Sequence, residues 1–164
     1  MQKGILVVSF GTSHLDTMEK TIDVIEREIA EKFPDCRVYR AFTSRMIIRK
    51  LKRTGVMKID TVEEAVKRMA ADGIEDVIVQ PTHIINGIEN DRMMEDLMEN
   101  MSLFQRIRIG KPLLSSVDDY KKSIHAIMSE TELDEDEMLV FMGHGTDPVS
   151  YTHLRAHETA ANRV

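Results

Sequence analysis

His144 stands between Gly143 and Gly145, directly after the apolar run "MLVFM". Flanking glycines let the backbone turn sharply and leave the ring uncrowded. An imidazole so placed can bind a borderline divalent metal or accept a proton near neutral pH. His153 and His157 follow four residues apart, with Glu158 beside them, the spacing of two ligands on one helix face. His83 ends another apolar run in "PTHIING". It either approaches the same cleft or is a structural histidine held by hydrogen bonds. Ser9, Phe10, Gly11 and Thr12 close a third run, where hydroxyls and backbone N–H groups at a helix start offer an anion site. The full phosphate-loop signature with its lysine is absent there, so a nucleotide is not indicated. Arg45, Arg49 and Lys50 form a basic turn that meets carboxylates or is simply solvated.

The elements that must position these residues follow from hydrophobic spacing. Ile5 to Phe10 is a continuous apolar run rich in β-branched residues, the pattern of a strand buried on both faces. A helix over 15–32 follows, with Met18, Ile22, Ile25 and Ile29 at steps of four, three and four forming one buried stripe. "CRVYRAF" reads as the second strand, with Cys36 half-buried at its start. A short basic helix comes next, capped by Thr43 or Ser44. Thr61 and Glu64 form a capping box for "VEEAVKRMAADG", which Gly73 stops. "DVIVQP" is the third strand and "RIRIG" the fourth. Between them lies a helix whose Met93, Met94, Met98 and Met101 are expected to fill the core. Ser116 caps a further helix, "ETELDEDE" is a solvated connector, and "MLVFM" is a fifth strand.

Strands alternating with helices predict an α/β fold: a three-layer open parallel sheet with helices on both faces. Ligands of such sheets collect at the C-terminal ends of the strands. That edge should carry "SFGTS", "AFTS", "PTHIING" and "GHGT".

The chain has 164 residues, enough for a real core, and a formal charge of −6, which argues against a nucleic-acid surface. No apolar run approaches the ~20 residues of a membrane span. No signal-peptide pattern is seen, and the single Cys36 fits a reducing compartment, so the expected location is cytoplasmic.

"ILVVSFGT" (5–12) and "LVFMGHGT" (139–146) share one pattern: four apolar strand residues, a small residue, an aromatic ring, glycine and threonine. Repetition at domain length points to tandem copies of one α/β domain. The expected division is a first domain over 1–130, then a connector with the first strand and loop of a second domain over 131–148. On that reading the strand at 139–142 lacks its proper cover, and the chain is prone to self-association, giving a homo-oligomer, through it.

"LVVSFGTS", "RAFTSRMIIRKL", "HIINGIE", "GKPLLSSVDDY" and "VFMGHGT" together resemble the anaerobic-type sirohydrochlorin cobalt chelatases. These enzymes insert cobalt(II) into a tetrapyrrole in vitamin B12 biosynthesis and belong to the wider chelatase group that includes ferrochelatases. The likeness covers residues 3 to about 147. It implies two similar α/β domains with an active cleft between them. It also implies Co2+ as the substrate metal and His144 as metal ligand and proton acceptor. The family's remaining ligands, a glutamate and a histidine, lie in its C-terminal domain and have no matching positions here. The chain alone is therefore expected to be inactive, and a non-catalytic tetrapyrrole- or metal-binding module is the alternative. Insertion removes two pyrrole protons, so a base beside the metal is needed. Sirohydrochlorin's carboxylates give Arg45, Arg49 and Lys50 a task, with Ser9, Phe10, Gly11, Thr12 and His83 as further substrate contacts.

The resemblance read from these motifs stops after Pro148. Val149 to Thr159, "VSYTHLRAHET", matches residue for residue the translation of a widely used transposase sequencing adapter. Residues 149–164 are thus expected to be adapter read-through, which removes His153, His157 and Glu158 from the metal chemistry.

Overall fold

A computed structural model describes residues 1–132 and 138–140. Four strands, β1 (Lys3–Ser9), β2 (Cys36–Phe42), β3 (Asp76–Pro81) and β4 (Arg106–Ile109), form one all-parallel sheet in the order β2-β1-β3-β4. Ile5 lies between Val38 and Ile78, and that register carries the strand ends to one common edge. Six helices connect or follow them: α1 (Leu15–Lys20), α2 (Ile22–Lys32), α3 (Arg45–Thr54), α4 (Val62–Ala71), α5 (Ile88–Met98) and α6 (Val117–Ser129). This is the α/β architecture the spacing predicts.

β1 is central, and Leu6, Val7 and Val8 are fully buried. Each such side chain contributes about 1.5–3 kcal/mol through removal from water. On one side, Leu6, Val8, Tyr39, Ala41, Val77 and Val79 join Val62, Val66 and Met69 of α4 and Met93 and Leu97 of α5 in a single core. A smaller cluster gathers Met18, Ile22, Phe42, Leu51 and Ile59.

Helix ends follow the sequence signals closely. The Ser44 hydroxyl accepts the Ile47 N–H at the start of α3. Thr61 and Glu64 make both capping-box bonds, at 3.2 and 2.9 Å. Ser116 caps α6, and Gly73 takes φ 79° just after α4.

Three expectations need correction. The helix over 15–32 is two helices, because Thr21 leaves helical geometry (φ −128°, ψ −78°). Its hydroxyl donates to the Thr17 carbonyl at 2.6 Å, a local bond that competes with helix continuation. The apolar stripe is accordingly incomplete: Met18 and Ile22 are buried, whereas Ile25 is exposed. In α5 Met93 is buried and Met94 half-buried, but Met98 and Met101 are exposed. The helix ends there and a 3-10 turn over Met101–Leu103 redirects the chain. Finally, Met138, Leu139 and Val140 carry no strand, and Met138 and Val140 are exposed. The rest of that expected strand, His144, and the 149–164 segment lie outside the described residues.

Candidate functional site

The C-terminal edge of the sheet is knitted from four strand-to-helix loops. The Thr43 N–H donates to the Ser9 carbonyl at 2.9 Å and the Ser44 N–H to Phe10 at 3.2 Å. The Thr82 N–H reaches the Val8 carbonyl at 2.8 Å, and the Thr82 hydroxyl donates to Ser9 Oγ at 2.9 Å. The fourth loop joins through Leu113 N–H to His83 O (3.0 Å) and Leu114 N–H to Ile84 O (2.8 Å). Gly11 allows the tight exit from β1. Its φ is +97°, and a Cβ there would sit 2.4 Å from the Phe42 ring, so both backbone and space demand glycine.

Beneath this edge lie buried polar atoms that have no hydrogen-bond partner among the described residues: Thr43 Oγ1, both ring nitrogens of His83, Glu89 Oε2 and Asn90 Oδ1. Thr43 directly follows β2, His83 lies two residues past β3, and Glu89 and Asn90 sit in the first turn of α5. Buried polar groups are almost always paired, and each orphan costs about 1–3 kcal/mol. A local concentration of them marks a place where a ligand or water completes the set. Burial pushes the His83 imidazole pKa below its ordinary value, against the opposing pull of Glu89. The ring is therefore neutral at pH 7, with a lone pair to offer.

A cleft of about 460 Å³ opens on this edge, lined by Phe10, Thr43, Ser44, Arg45, Met46, Glu89, Arg92, Met93, Glu95 and Asp96. Arg92 Nη1 pairs with Glu89 Oε1 at 2.7 Å. Burial pushes the Asp96 carboxyl pKa up; Arg45 opposes the shift, while Glu63, Glu99 and Glu95 add to it. The cleft thus combines carboxylates able to attract a cation, two guanidinium groups able to hold acidic arms, and exposed Phe10 and Met46 as apolar flanks.

The expected site residues divide. Phe10 and Arg45 line the cleft, and His83 is buried behind the edge. Ser9 is 2% exposed, its Oγ accepting the Thr82 hydroxyl, and it does not line the cleft. The Thr12 hydroxyl accepts the His14 N–H at 3.1 Å and α1 has only six residues, which leaves a poor anion site. Arg49 and Lys50 are exposed on α3 and do not line the cleft. Among the described residues neither His83 ring nitrogen has a hydrogen-bond partner. Glu89 and Arg92 were missed because "IENDR" reads as an ordinary charged first helical turn. The loop at 110–116 carries no spacing signal that puts it on this edge; its backbone bonds to His83 and Ile84 do.

An open parallel sheet with a cleft at the C-terminal ends of its strands defines an α/β unit of the kind that binds ligands at that edge. Residues 3–160 match the cobalt chelatase (CbiK) family, and the chain belongs to that family. It is 46% identical over 146 residues to the sirohydrochlorin cobaltochelatase of Salmonella typhimurium strain LT2, covering 88% of this chain and 55% of that protein. It is 34% identical over 167 residues to the sirohydrochlorin cobaltochelatase CbiKC of Nitratidesulfovibrio vulgaris strain Hildenborough, covering 99% and 58%. The chain spans about half the length of the curated relatives it matches. Among the described residues no group of three or more His, Cys, Asp or Glu could hold a metal. No described helix is long and apolar enough to cross a membrane.

Proposed function

We propose that this chain supplies the N-terminal half of a sirohydrochlorin cobaltochelatase, binding the tetrapyrrole at the C-terminal edge of its sheet. The convergence of unpartnered buried atoms from Thr43, His83, Glu89 and Asn90 on that edge carries the reading. Divalent cobalt is the substrate metal. His144 is proposed as its ligand and as a base for the pyrrole protons, with neutral His83 and Glu89 close to the entering ion. Arg45 and Arg92 meet acidic arms, and Phe10 and Met46 pack against the apolar face of the macrocycle. The proposed compartment is the cytoplasm, in keeping with a single half-buried Cys36. Self-association is proposed through the exposed apolar residues near Met138 and Val140. Residues 149–164 are proposed to be adapter translation; an uninterrupted native reading frame on resequencing the source gene would refute that.

The test adds Co2+ and sirohydrochlorin to the chain extended to its relatives' length and follows the absorbance change. Insertion is expected, falling as pH drops through ~6.5, the ordinary histidine pKa. His144→Ala should lower the rate by about 10²–10⁴, and His83→Ala by less. A folded His144→Ala protein that inserts cobalt at the parent rate overturns the assignment.

A further inference from the structure

The ion pair between Arg92 and Glu89 is lopsided. Arg92 Nη1 holds Oε1 at 2.7 Å, while Oε2 of the same carboxylate is buried without a partner. The arginine side chain is 62% exposed and the glutamate 26%. Both line one cleft with Arg45, Phe10 and Met46. A guanidinium carries five N–H donors, and this one spends a single nitrogen on Glu89, with no other hydrogen bond among the described residues. A carboxylate from a ligand can take two parallel N–H bonds from the same group, a stronger and more directional arrangement. A single-nitrogen pair three residues apart on a helix, with the arginine largely exposed, is weak, so a second carboxylate can compete for the guanidinium.

We propose that Arg92 is a positioning residue that couples the substrate's acidic edge to Glu89. In the empty cleft it tethers Glu89 by one oxygen. A tetrapyrrole carboxylate then takes over the guanidinium, and both oxygens of Glu89 become available to the metal or to a pyrrole N–H. The step exchanges hydrogen bonds only; no covalent bond forms or breaks. It rests on the tetrapyrrole reading above.

The chain as it stands, with glutamate carboxyls labelled with carbon-13, is titrated at fixed pH with metal-free sirohydrochlorin and, separately, with its octamethyl ester. Binding is read by absorbance and the state of Glu89 by its carboxyl chemical shift, assigned through Glu89→Gln. The acid should bind and move the Glu89 signal, whereas the ester should leave that signal in place. Arg92→Met should weaken acid binding about tenfold, the loss of one charge-assisted contact, and abolish the acid-dependent movement. Arg92→Lys should retain part of the affinity but not the bidentate geometry. Acid binding that Arg92→Met leaves intact, or an equal Glu89 response to the ester, overturns this proposal alone. No acid binding by the parent chain overturns both this proposal and the tetrapyrrole reading.

Discussion

At the N-terminal end of the sheet, Asp76 is 3% exposed and its carboxylate accepts bonds from Arg108 Nη2 at 3.0 and 3.2 Å, with Arg106 Nε 3.7 Å away. At the C-terminal end, His83 is 9% exposed and neither ring nitrogen has a partner. The contrast extends beyond these two residues. Asp72 receives the Tyr39 hydroxyl at 2.8 Å and Arg37 at 3.1 Å. Burial and the Asp72 contacts push the Tyr39 phenol up to about 12, so it stays a neutral donor. Glu75 holds Gln105 at 2.9 Å. No such arrangement serves Thr43, Glu89 Oε2 or Asn90 Oδ1. Polar groups at the N-terminal end of the sheet are spent on holding the fold, while at the other end Thr43, His83, Glu89 and Asn90 keep atoms without a partner among the described residues. Parallel strands explain why the division falls along an edge: every strand-to-helix loop emerges at the same end of the sheet.

Variants should separate the two ends. The largest effect is expected from His83→Leu combined with Glu89→Leu in the chain extended to its relatives' length. Cobalt insertion should drop by about 10² or more, while Tm holds or rises because buried orphan atoms have been removed. A fall in Tm matching the fall in rate would dissolve the contrast.

Removing both N-terminal arginines, Arg106→Ala with Arg108→Ala, strands the buried Asp76 carboxylate. The expected cost is about 1–3 kcal/mol, read by urea denaturation, with sirohydrochlorin binding unchanged. Weaker binding in a protein that remains fully folded would show that the two ends are coupled.

Thr61→Ala sharpens the comparison from inside the C-terminal end. The α4 start lies there, since the Phe42 N–H donates to the Asp60 carbonyl at 3.1 Å, yet its polar groups are satisfied by the capping box. The variant should lose about 1 kcal/mol and bind tetrapyrrole as before, which denaturation and absorbance titration would check.

The smallest effect concerns pH. The folded His83 pKa lies below the unfolded one, so below the unfolded value of ~6.5 the unfolded chain takes up the proton first. Its contribution to stability is present above pH ~6.5 and is lost as pH falls through the folded pKa. His83→Leu should flatten the pH dependence of urea midpoints below ~6.5; an unaltered slope would mean that the ring is not held neutral.

The sequence by itself determined the local and periodic features. β1 was legible because four consecutive apolar positions, Ile5 to Val8, suit a strand covered on both faces. Thr61 with Glu64, and Ser44 or Ser116 before a helix, were legible because a cap acts within one turn. The family likeness was legible because short loop motifs keep their order along the chain. Tertiary structure alone decided which polar atoms find partners. Ser9 Oγ accepts the Thr82 hydroxyl across 73 residues, and packing leaves Ser9 buried. Glu89 and Arg92 look like surface charges in a helical turn, and only their position behind the β1 and β2 loops makes them line a cleft. Arg45 enters that cleft while Arg49 does not, because Arg49 stands on the same face of α3 but one turn, about 6 Å, further along the axis. Spacing encodes contacts within a turn or along a strand. Desolvation, which makes His83 neutral and leaves its nitrogens unpaired, exists only after distant segments have packed around it.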